Sequence, residues 1–312
     1  MDTPKIVDRT RGLLREYYVF PDVATELDGV LAARATAYAA ATDPRELAEL
    51  VTADLQSVNG DRHLRLKHHE EEIPEGDDAA VEQVDARLFA ESMGGVPRVE
   101  RLPGGVAVLE LAPLLSRVEW AGEVLAAAFT LVSRAEALIL DLRENRGGDP
   151  HTVALVCSYL LAEPTHLNTM YSRDDDSYQQ FWSLPYVSGR AFGAQKPVYV
   201  LTSGKTFSGA EELAYDLQQL GRATIVGERT GGGAHPRRGF TVHPHLEATI
   251  PTARAINPVS NTNWELVGVT PTIATPAAEA LATAYREALA ELVRRGGPTA
   301  AEAGRALAAG TS

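Results

Sequence analysis

The sequence predicts an α/β fold preceded by a helical segment, and two patterns of apolar residues support this prediction. From Gly104 onward, short apolar runs of strand length alternate with helical patterns, which is typical of an α/β core. The first 57 residues instead repeat apolar side chains every three or four positions, as the buried face of a helix does. The apolar runs are Val106–Leu111, Ala137–Leu142, Val198–Leu201 and Ala223–Val226, and the helical patterns between them are Glu119–Arg134, His151–Leu161 and Ser208–Leu220.

Three helices are predicted in the N-terminal segment. The first ends before Pro21, and the second covers Val23–Ala40. The third begins at Asp43-Pro44, because Asp is a good N-cap and proline is tolerated at the first helical position. The turn signal Asn59-Gly60 closes this helical segment.

These patterns divide the chain into three parts. Residues 1–70 are expected to form a helical cap domain, residues 71–103 an acidic connector, and residues 104–312 the α/β core with a C-terminal helix. Residues 70–91 carry nine Asp or Glu and one Arg, which indicates a solvated connector, with a docking surface for a basic substrate as the alternative. Residues 240–273 carry short strands with Pro and Gly turns inside the core.

Composition limits the partners and the location of the protein. With 42 acidic and 29 basic side chains among 312 residues, the net charge of −13 disfavours nucleic acid and anionic membranes as partners. Cys157 is the single cysteine, so no intrachain disulfide can form, and its apolar neighbours indicate a core thiol. The sequence has no secretory signal and no run of 18 apolar residues, so we expect a cytoplasmic protein.

The strongest chemical signal is a buried strand that runs through a turn into a helix at Ser208. A serine there lies beside the first helical N–H groups, which have no partner within the helix and favour developing negative charge. This arrangement is typical of a nucleophile. The alternative is a capping box, because Glu211 stands three residues after the serine.

Two further segments carry polar residues beside turns. The strand that ends at Asp141 continues into a polar turn with the paired glycines Gly147 and Gly148, and glycine lets a backbone N–H approach a ligand closely. An oxyanion hole is one interpretation of this turn, and an ordinary strand-to-helix loop is the other. His63 opens an alternating strand after a turn, but nothing local distinguishes it from the other histidines, which total eight with it.

Four motifs occur together along the chain. In chain order, they are Asp141–Gly148, Thr202–Glu212, Val226–Gly233 and Trp264–Pro271. In this combination the chain resembles the tail-specific (C-terminal-processing) serine peptidases, the tricorn protease core and the repeats of interphotoreceptor retinoid-binding protein. The resemblance covers roughly residues 5–290 and implies a crotonase-like ββα core preceded by a helical cap.

Particular residues distinguish two branches of this family. Processing peptidases use a lysine base after the glycine stretch, but Gly233 occupies that position and residues 206–312 contain no lysine. About forty residues separate His63 from the strand at Val106, which is too few for the PDZ module of those peptidases. The tricorn-like branch uses a histidine after the helical cap and a late acid, and His63 and Glu265 match those positions.

This resemblance implies a serine-type peptidase that cleaves peptide or ester bonds through an acyl-enzyme. Ser208 would be the nucleophile, His63 its base, and Glu265 the carboxylate that orients the imidazole. The N–H groups of Gly209 and Gly148 would hold the oxyanion. We expect no cofactor and a peptide or small-molecule substrate, and a homo-oligomer is compatible with the sequence. The rate of hydrolysis should rise with pH near neutrality, because a histidine has a pKa of about 6.5.

Two departures from the family pattern leave other functions open. Arg62 stands where the tricorn pattern has a second serine, and Thr272 follows Pro271 where the family usually has aspartate. A binding protein for an apolar small molecule, with a vestigial site, is one alternative. A family member recruited to non-proteolytic metabolite chemistry is the other.

A zinc site is a further alternative, and the sequence disfavours it. His243 and His245 are two positions apart on a predicted strand and would face the same way, with His235 close in sequence. No cysteine or acidic ligand stands at a familiar spacing from them, so solvated or loop histidines are the better interpretation.

Overall fold

The computed structural model describes residues 1–73 and 86–309, and these residues form two compact units. The division differs from the linear one expected at residues 70 and 103, because the chain returns to the first unit twice. The first unit comprises residues 1–73, 169–179 and 235–256. The second unit comprises residues 86–168, 180–234 and 257–309.

Helices open the first unit. Proline occupies the first position of two of them, and the Asp43 side chain accepts the Glu46 N–H at 2.9 Å, which caps the last helix as the sequence predicts. The helix expected over Val23–Ala40 is interrupted at Arg34, whose backbone leaves helical geometry (φ −95°, ψ 5°). The helices are α1 (Thr3–Tyr17), α2 (Pro21–Ala33), α3 (Ala35–Ala39) and α4 (Pro44–Leu55).

An antiparallel sheet completes the core of the first unit. Its strand order is β1 (Arg65–His68), β10 (Leu246–Pro251) and β9 (Arg237–His243), with Leu66 opposite Ala248. This pairing is the reason that the chain returns to the unit. The buried faces of α1, α2 and α4 pack against the apolar residues of β1 and β10.

A second three-stranded sheet follows the order β11 (Ala253–Ile256), β5 (His166–Ser172) and β6 (Ser177–Trp182). In the first unit, β11 and β5 are antiparallel, and Ala253 lies opposite Ser172. The sequence analysis predicts no strands over β5 and β6.

The second unit is built on a six-stranded mixed sheet with the order β12-β8-β7-β4-β3-β2. The edge strand β2 is antiparallel to β3, and all other neighbours are parallel. Strand β2 falls inside the expected connector, of which residues 74–85 lie outside the described residues. The strands are β2 (Arg98–Leu102), β3 (Val106–Glu110), β4 (Ala137–Asp141), β7 (Val198–Thr202), β8 (Thr224–Gly227) and β12 (Ile273–Ala274).

Helices supply the partners of this sheet. Strands β4 and β7 are buried along their whole length, as parallel strands covered on both faces are, and one face packs against the Ala- and Leu-rich side of α8. The α/β fold class is confirmed in this form. The helices are α5 (Val118–Val132), α6 (Pro150–Ser158), α7 (Gly209–Gln219), α8 (Ala277–Arg295) and α9 (Ala300–Ala309). Within the described ranges, no helix is both long and apolar enough to cross a lipid bilayer.

Candidate active site

Two loops meet at the carboxyl edge of the parallel strands in the second unit. One follows β4 and the other follows β7, and neighbouring parallel strands end at the same edge. Hydrogen bonds join the loops: the Thr206 hydroxyl donates to the Leu142 carbonyl at 2.9 Å, and the Phe207 N–H donates to the Asn145 carbonyl at 3.2 Å. The β7 loop is therefore fixed against the β4 loop immediately before Ser208.

Ser208 stands at the turn between β7 and α7 with a strained backbone. Its φ of 50° and ψ of −123° differ from the extended conformation that an ordinary N-cap residue adopts. A non-glycine residue at positive φ is costly unless its surroundings impose it, and such strain concentrates at functional sites. The side chain is half-buried at the start of the helix. The capping box is also present: the Glu211 backbone N–H faces the Ser208 side chain, and the Glu211 carboxylate accepts the Ser208 N–H at 2.8 Å.

Glycines surround this turn so closely that no side chain fits. A Cβ placed on Gly147 would lie 2.7 Å from the Ser208 Cβ, and one on Gly209 would lie 3.0 Å from the Gly148 nitrogen. Gly147 and Gly148 also have positive φ angles of 115° and 135°. The structure therefore brings Ser208, Gly209 and Gly148 together.

The two adjacent glycines differ in their N–H groups. The Gly147 N–H donates to the Asn145 side-chain carbonyl at 2.9 Å. Around Gly148, the backbone bonds to Leu115 use the Gly147 carbonyl and the Asp149 N–H. Among the described residues, the Gly148 N–H makes no hydrogen bond, and Gly209 occupies the first helical position, where the N–H has no acceptor within the helix.

Glu211 links Ser208 to the glycine segment after β8. Besides the Ser208 N–H, its carboxylate accepts the Gly232 and Gly233 N–H groups at 2.7 and 2.9 Å, and the Thr230 hydroxyl donates to it as well. Burial raises the pKa of Glu211, and these hydrogen bonds oppose the shift. The carboxylate is fully buried and holds the two segments together.

Glu265 borders the same glycine segment. It lies in a turn whose next residue, Leu266, donates its N–H to the Gly232 carbonyl at 3.0 Å. The Glu265 carboxylate accepts the Ala234 N–H at 2.5 Å, and the Trp264 indole donates to the Gly233 carbonyl at 2.8 Å. Glu265 and Ser208 are thus anchored to one segment of the second unit, Glu265 directly and Ser208 through Glu211.

His63 belongs to the first unit, where it follows the helical segment and precedes β1. Its side chain is buried and its backbone N–H donates to Asp61 Oδ1 at 3.0 Å. Burial lowers the pKa of His63 to about 4, and the nearby Asp61 carboxylate opposes that shift. The imidazole is therefore neutral at pH 7 and able to accept a proton. Its neighbour Arg62 is exposed.

Three residues with buried polar contacts have no catalytic role in the sequence analysis, which names His235 only as a zinc ligand of the disfavoured alternative and does not name Asp61. Asp61 and His235 form a pair in the first unit, with His235 Nδ1 3.2 Å from Asp61 Oδ2. Glu211 was considered only as a capping residue. A local signal existed for Asp61, which precedes His63 by two positions, but its distance from His235 in sequence conceals their contact.

Two of the three histidines of the zinc alternative, His243 and His245, contact each other. His243 and His245 lie with ring centroids 6.0 Å apart, and the His245 N–H donates to His243 Nδ1 at 3.2 Å. In the part of the chain that the structure describes, neither joins a cluster of three metal-ligating side chains.

Two family models match this chain, one near its N-terminus and one over its central and C-terminal residues. The family model described as peptidase family S41 matches residues 107–275. The model described as the N-terminal domain of that peptidase in eukaryotic IRBP matches residues 1–92.

Solved structures with low sequence identity share the fold. Mature CPAF complexed with lactacystin has a TM-score of 0.64 at 13% identity, over 93% of this chain and 97% of that one. A putative peptidase from Parabacteroides merdae has a TM-score of 0.61 at 19% identity, over 88% and 90%. The tricorn protease has a TM-score of 0.57 at 12% identity, over 89% of this chain and 35% of that one. At these identities, the likeness shows the fold alone.

Proposed function

Because the chain belongs to peptidase family S41, a family of serine peptidases, we propose that it cleaves peptide or ester bonds with Ser208 as the nucleophile. The observation that carries this proposal is the strained backbone of Ser208 beside the Gly148 N–H. A serine that only caps a helix needs neither a positive φ nor closely packed glycines such as Gly147 and Gly148 beside it. The parallel strands behind this turn support a crotonase-like ββα core for the second unit.

The proposed reaction proceeds through an acyl-enzyme. Ser208 Oγ attacks the substrate carbonyl carbon while the His63 imidazole accepts the hydroxyl proton. His63 then donates this proton to the leaving amine or alkoxide. In the second step, His63 accepts a proton from the water that attacks the acyl carbon and returns it to Ser208 Oγ as the acid product leaves. Glu265 would select the productive imidazole tautomer and stabilise the imidazolium. The neutral state of the buried His63 at pH 7 supports its assignment as the base.

The proposed oxyanion hole consists of two backbone N–H groups. Gly209 contributes the first N–H of α7, and Gly148 contributes an N–H that no other described group accepts. The positive end of the α7 dipole adds to their effect on a developing negative charge. The Gly147 N–H is directed to Asn145 instead, which supports the assignment of Gly148.

All of these steps use side chains and backbone groups of this chain. Three properties stay predictions: the substrate is a peptide or small molecule, the protein is cytoplasmic, and the chain can form a homo-oligomer.

A fluorophosphonate probe tests the nucleophile directly. Ser208 Oγ would displace fluoride from phosphorus, forming an O–P bond, while His63 accepts the hydroxyl proton. Peptide mass mapping should then place the adduct on Ser208 in the wild-type protein and find none in Ser208→Ala.

The His63→Ala variant should react far more slowly. His69→Ala is the matched control, because His69 also faces a carboxylate of the first unit, with Nε2 2.9 Å from Glu247, and should react like the wild type. Folded wild-type protein that stays unlabelled, or that carries the adduct on another serine, would overturn the proposal.

A further inference from the structure

A buried carboxylate faces two imidazoles in the first unit. Asp61 is 1% exposed, and His63 and His235 beside it are 7% and 5% exposed. Asp61 Oδ1 lies 4.0 Å from His63 Nδ1, and Asp61 Oδ2 lies 3.2 Å from His235 Nδ1. The mechanism proposed above gives neither Asp61 nor His235 a role.

Hydrogen bonds fix the orientation of this carboxylate. Oδ1 accepts the His63 backbone N–H at 3.0 Å, and Oδ2 accepts the Tyr18 hydroxyl at 3.0 Å. Asn59 in turn donates to the Tyr18 oxygen at 2.6 Å. A buried carboxylate is costly unless donors surround it, and this one has donors on both oxygens.

The charge on Asp61 persists in spite of its burial. Burial alone would raise its pKa, but the hydrogen bond and charge of His235, together with His63, lower the pKa below its ordinary value. Asp61 is therefore an anion at neutral pH. At 4.0 Å it is too far from His63 Nδ1 for a good hydrogen bond, yet close enough for a charge to act in a buried site.

We propose that Asp61 is a positioning residue for His63, which fixes its backbone and supports its positive form during the reaction, and that His235 weakens this support by sharing the carboxylate. The inference rests on the proposed function, because it assigns His63 as the base. A proton taken by His63 creates an imidazolium, and the fixed anion beside it favours that state. His235 binds the other oxygen of the same carboxylate and opposes the imidazolium when it carries charge.

The other charged groups around His63 act against Asp61. Asp61 raises the pKa of His63, whereas His235, Arg237 and Arg65 lower it, as does burial. Removal of the Asp61 carboxylate should therefore lower the pKa of His63, and removal of His235 should raise it. A residue that only maintains the fold would not produce that difference in sign.

The test combines two variants with a matched control. Asp61→Asn removes the charge and keeps a side-chain carbonyl for the His63 N–H. His235→Gln removes the second imidazole and keeps a donor for Asp61. Asp54→Asn is the control, because Asp54 also accepts a tyrosine hydroxyl in this unit, that of Tyr38 at 2.7 Å, but pairs with Arg34 instead of a histidine.

Two readouts separate this inference from the proposed function. NMR titration of labelled histidine, assigned with His63→Gln, measures the pKa of His63 without any need for activity. The pH dependence of Ser208 labelling by the fluorophosphonate measures its action as a base. In Asp61→Asn, we expect the His63 pKa to fall by about 1 unit and, because a weaker base removes the Ser208 proton more slowly, the labelling rate at pH 7 to fall by up to about tenfold. In His235→Gln, we expect the pKa to rise, and in Asp54→Asn we expect neither value to change.

The outcomes are distinct. Shifts of the same sign in Asp61→Asn and His235→Gln, or an unchanged His63 pKa in both, would overturn the role of Asp61. If Asp61→Asn does not fold, as melting curves would reveal, the upward shift in His235→Gln decides alone. A wild-type protein that resists labelling defeats the proposed function, while the NMR titration still tests the electrostatic relation between Asp61 and His63.

Discussion

The carboxylate of Glu211 accepts the backbone N–H of Ser208 at 2.8 Å and, through the same oxygen, the N–H of Gly233 at 2.9 Å. Ser208, the N-cap residue of α7, has positive φ, and the glutamate three residues later stabilises this turn by accepting its N–H. It also connects that turn to the segment that anchors Glu265. One buried side chain thus contacts both the backbone of the proposed nucleophile and the glycine segment that the proposed acid also binds.

Glu211→Gln should therefore destabilise the protein and slow the reaction of Ser208. An amide can accept on one oxygen only, and its NH₂ group would face backbone N–H donors. Each buried donor left without an acceptor costs about 1–3 kcal/mol. We expect a clear fall in melting temperature and in the fluorophosphonate labelling rate. Glu279→Gln is the control, because Glu279 also lies in the first turn of a helix but is exposed. Equal effects of the two substitutions would contradict this role.

Gly148→Ala should abolish labelling of Ser208. The new Cβ would lie 2.0 Å from the Leu115 carbonyl oxygen, which real structures do not permit, so the β4 loop must move and displace the Gly148 N–H. Gly193→Ala is the matched control, because Gly193 also has positive φ, at 97°, but nothing lies within 4 Å of its added Cβ. We expect the control to cost only the backbone strain, about 1 kcal/mol, and to react normally. Normal labelling of folded Gly148→Ala would remove Gly148 from the oxyanion hole.

The elements that the sequence predicts are those formed by neighbours along the chain. The strand at β7 followed by a helix at Ser208 is one such element, and the glycine turn after Asp141 is another. Hydrophobic runs, a Gly pair and a serine at a strand-to-helix turn are local signals. The proximity of Ser208, Gly209 and Gly148 then follows from the parallel register of β4 and β7.

Pairings between distant segments escaped the sequence analysis. Leu66 pairs with Ala248, and Asp61 meets His235, at separations that no local pattern reveals. Strand β1 is only four residues long, and its partner could have been any strand with a compatible apolar face. The break at Arg34 was missed for a different reason, since no proline or glycine marks it.

A double-mutant cycle on His63 and Glu265 tests whether they act as one unit. If Glu265 orients the imidazole, Glu265→Gln and His63→Ala should each lower turnover, by up to about 10⁴-fold, or about 5 kcal/mol. The double variant should then be little worse than the more impaired single variant, because members of a triad are strongly non-additive. Melting curves control for the bond from the Ala234 N–H to Glu265. Additive effects would defeat the triad even if Ser208 proves reactive.

The acid limb of activity should lie well below neutrality. An unperturbed histidine would place it near pH 6.5, but burial lowers the pKa of His63 to about 4. Since the reaction needs neutral imidazole, kcat/KM should rise with pH through about 4 and reach its plateau before pH 6. The measurement is kcat/KM, or the labelling rate, from pH 3.5 to 8 with the fold monitored by circular dichroism. A limb centred near pH 6.5 would show that the imidazole is better solvated than this structure indicates.

Glu212 and Asp216 should make the stability of the protein fall as pH rises. They lie one turn apart on α7, 4% and 0% exposed, with Asn168 donating to Glu212 at 3.0 Å and Asn257 donating to Asp216 at 2.9 Å. Among the described residues, Asp216 Oδ2 is buried without a hydrogen-bond partner. Burial raises the pKa of Glu212 from 4.5 to about 7 and also raises that of Asp216. The folded protein therefore holds protons that the unfolded chain releases.

The sign of the effect follows from this difference in proton binding. Between the ordinary pKa of 4.5 and the raised value of about 7, the folded state binds more protons than the unfolded state, so the contribution of Glu212 is complete below pH 4.5 and is lost as pH rises through about 7. Glu212→Gln cannot ionise and should gain stability relative to the wild type across this window, by about 3 kcal/mol. Urea unfolding of both proteins from pH 4.5 to 8.5 measures the difference, and Glu119→Gln at an exposed position of α5 is the control. Only a stability difference that changes with pH in Glu212→Gln, and stays constant in the control, is consistent with a protonated carboxyl on the buried face of α7.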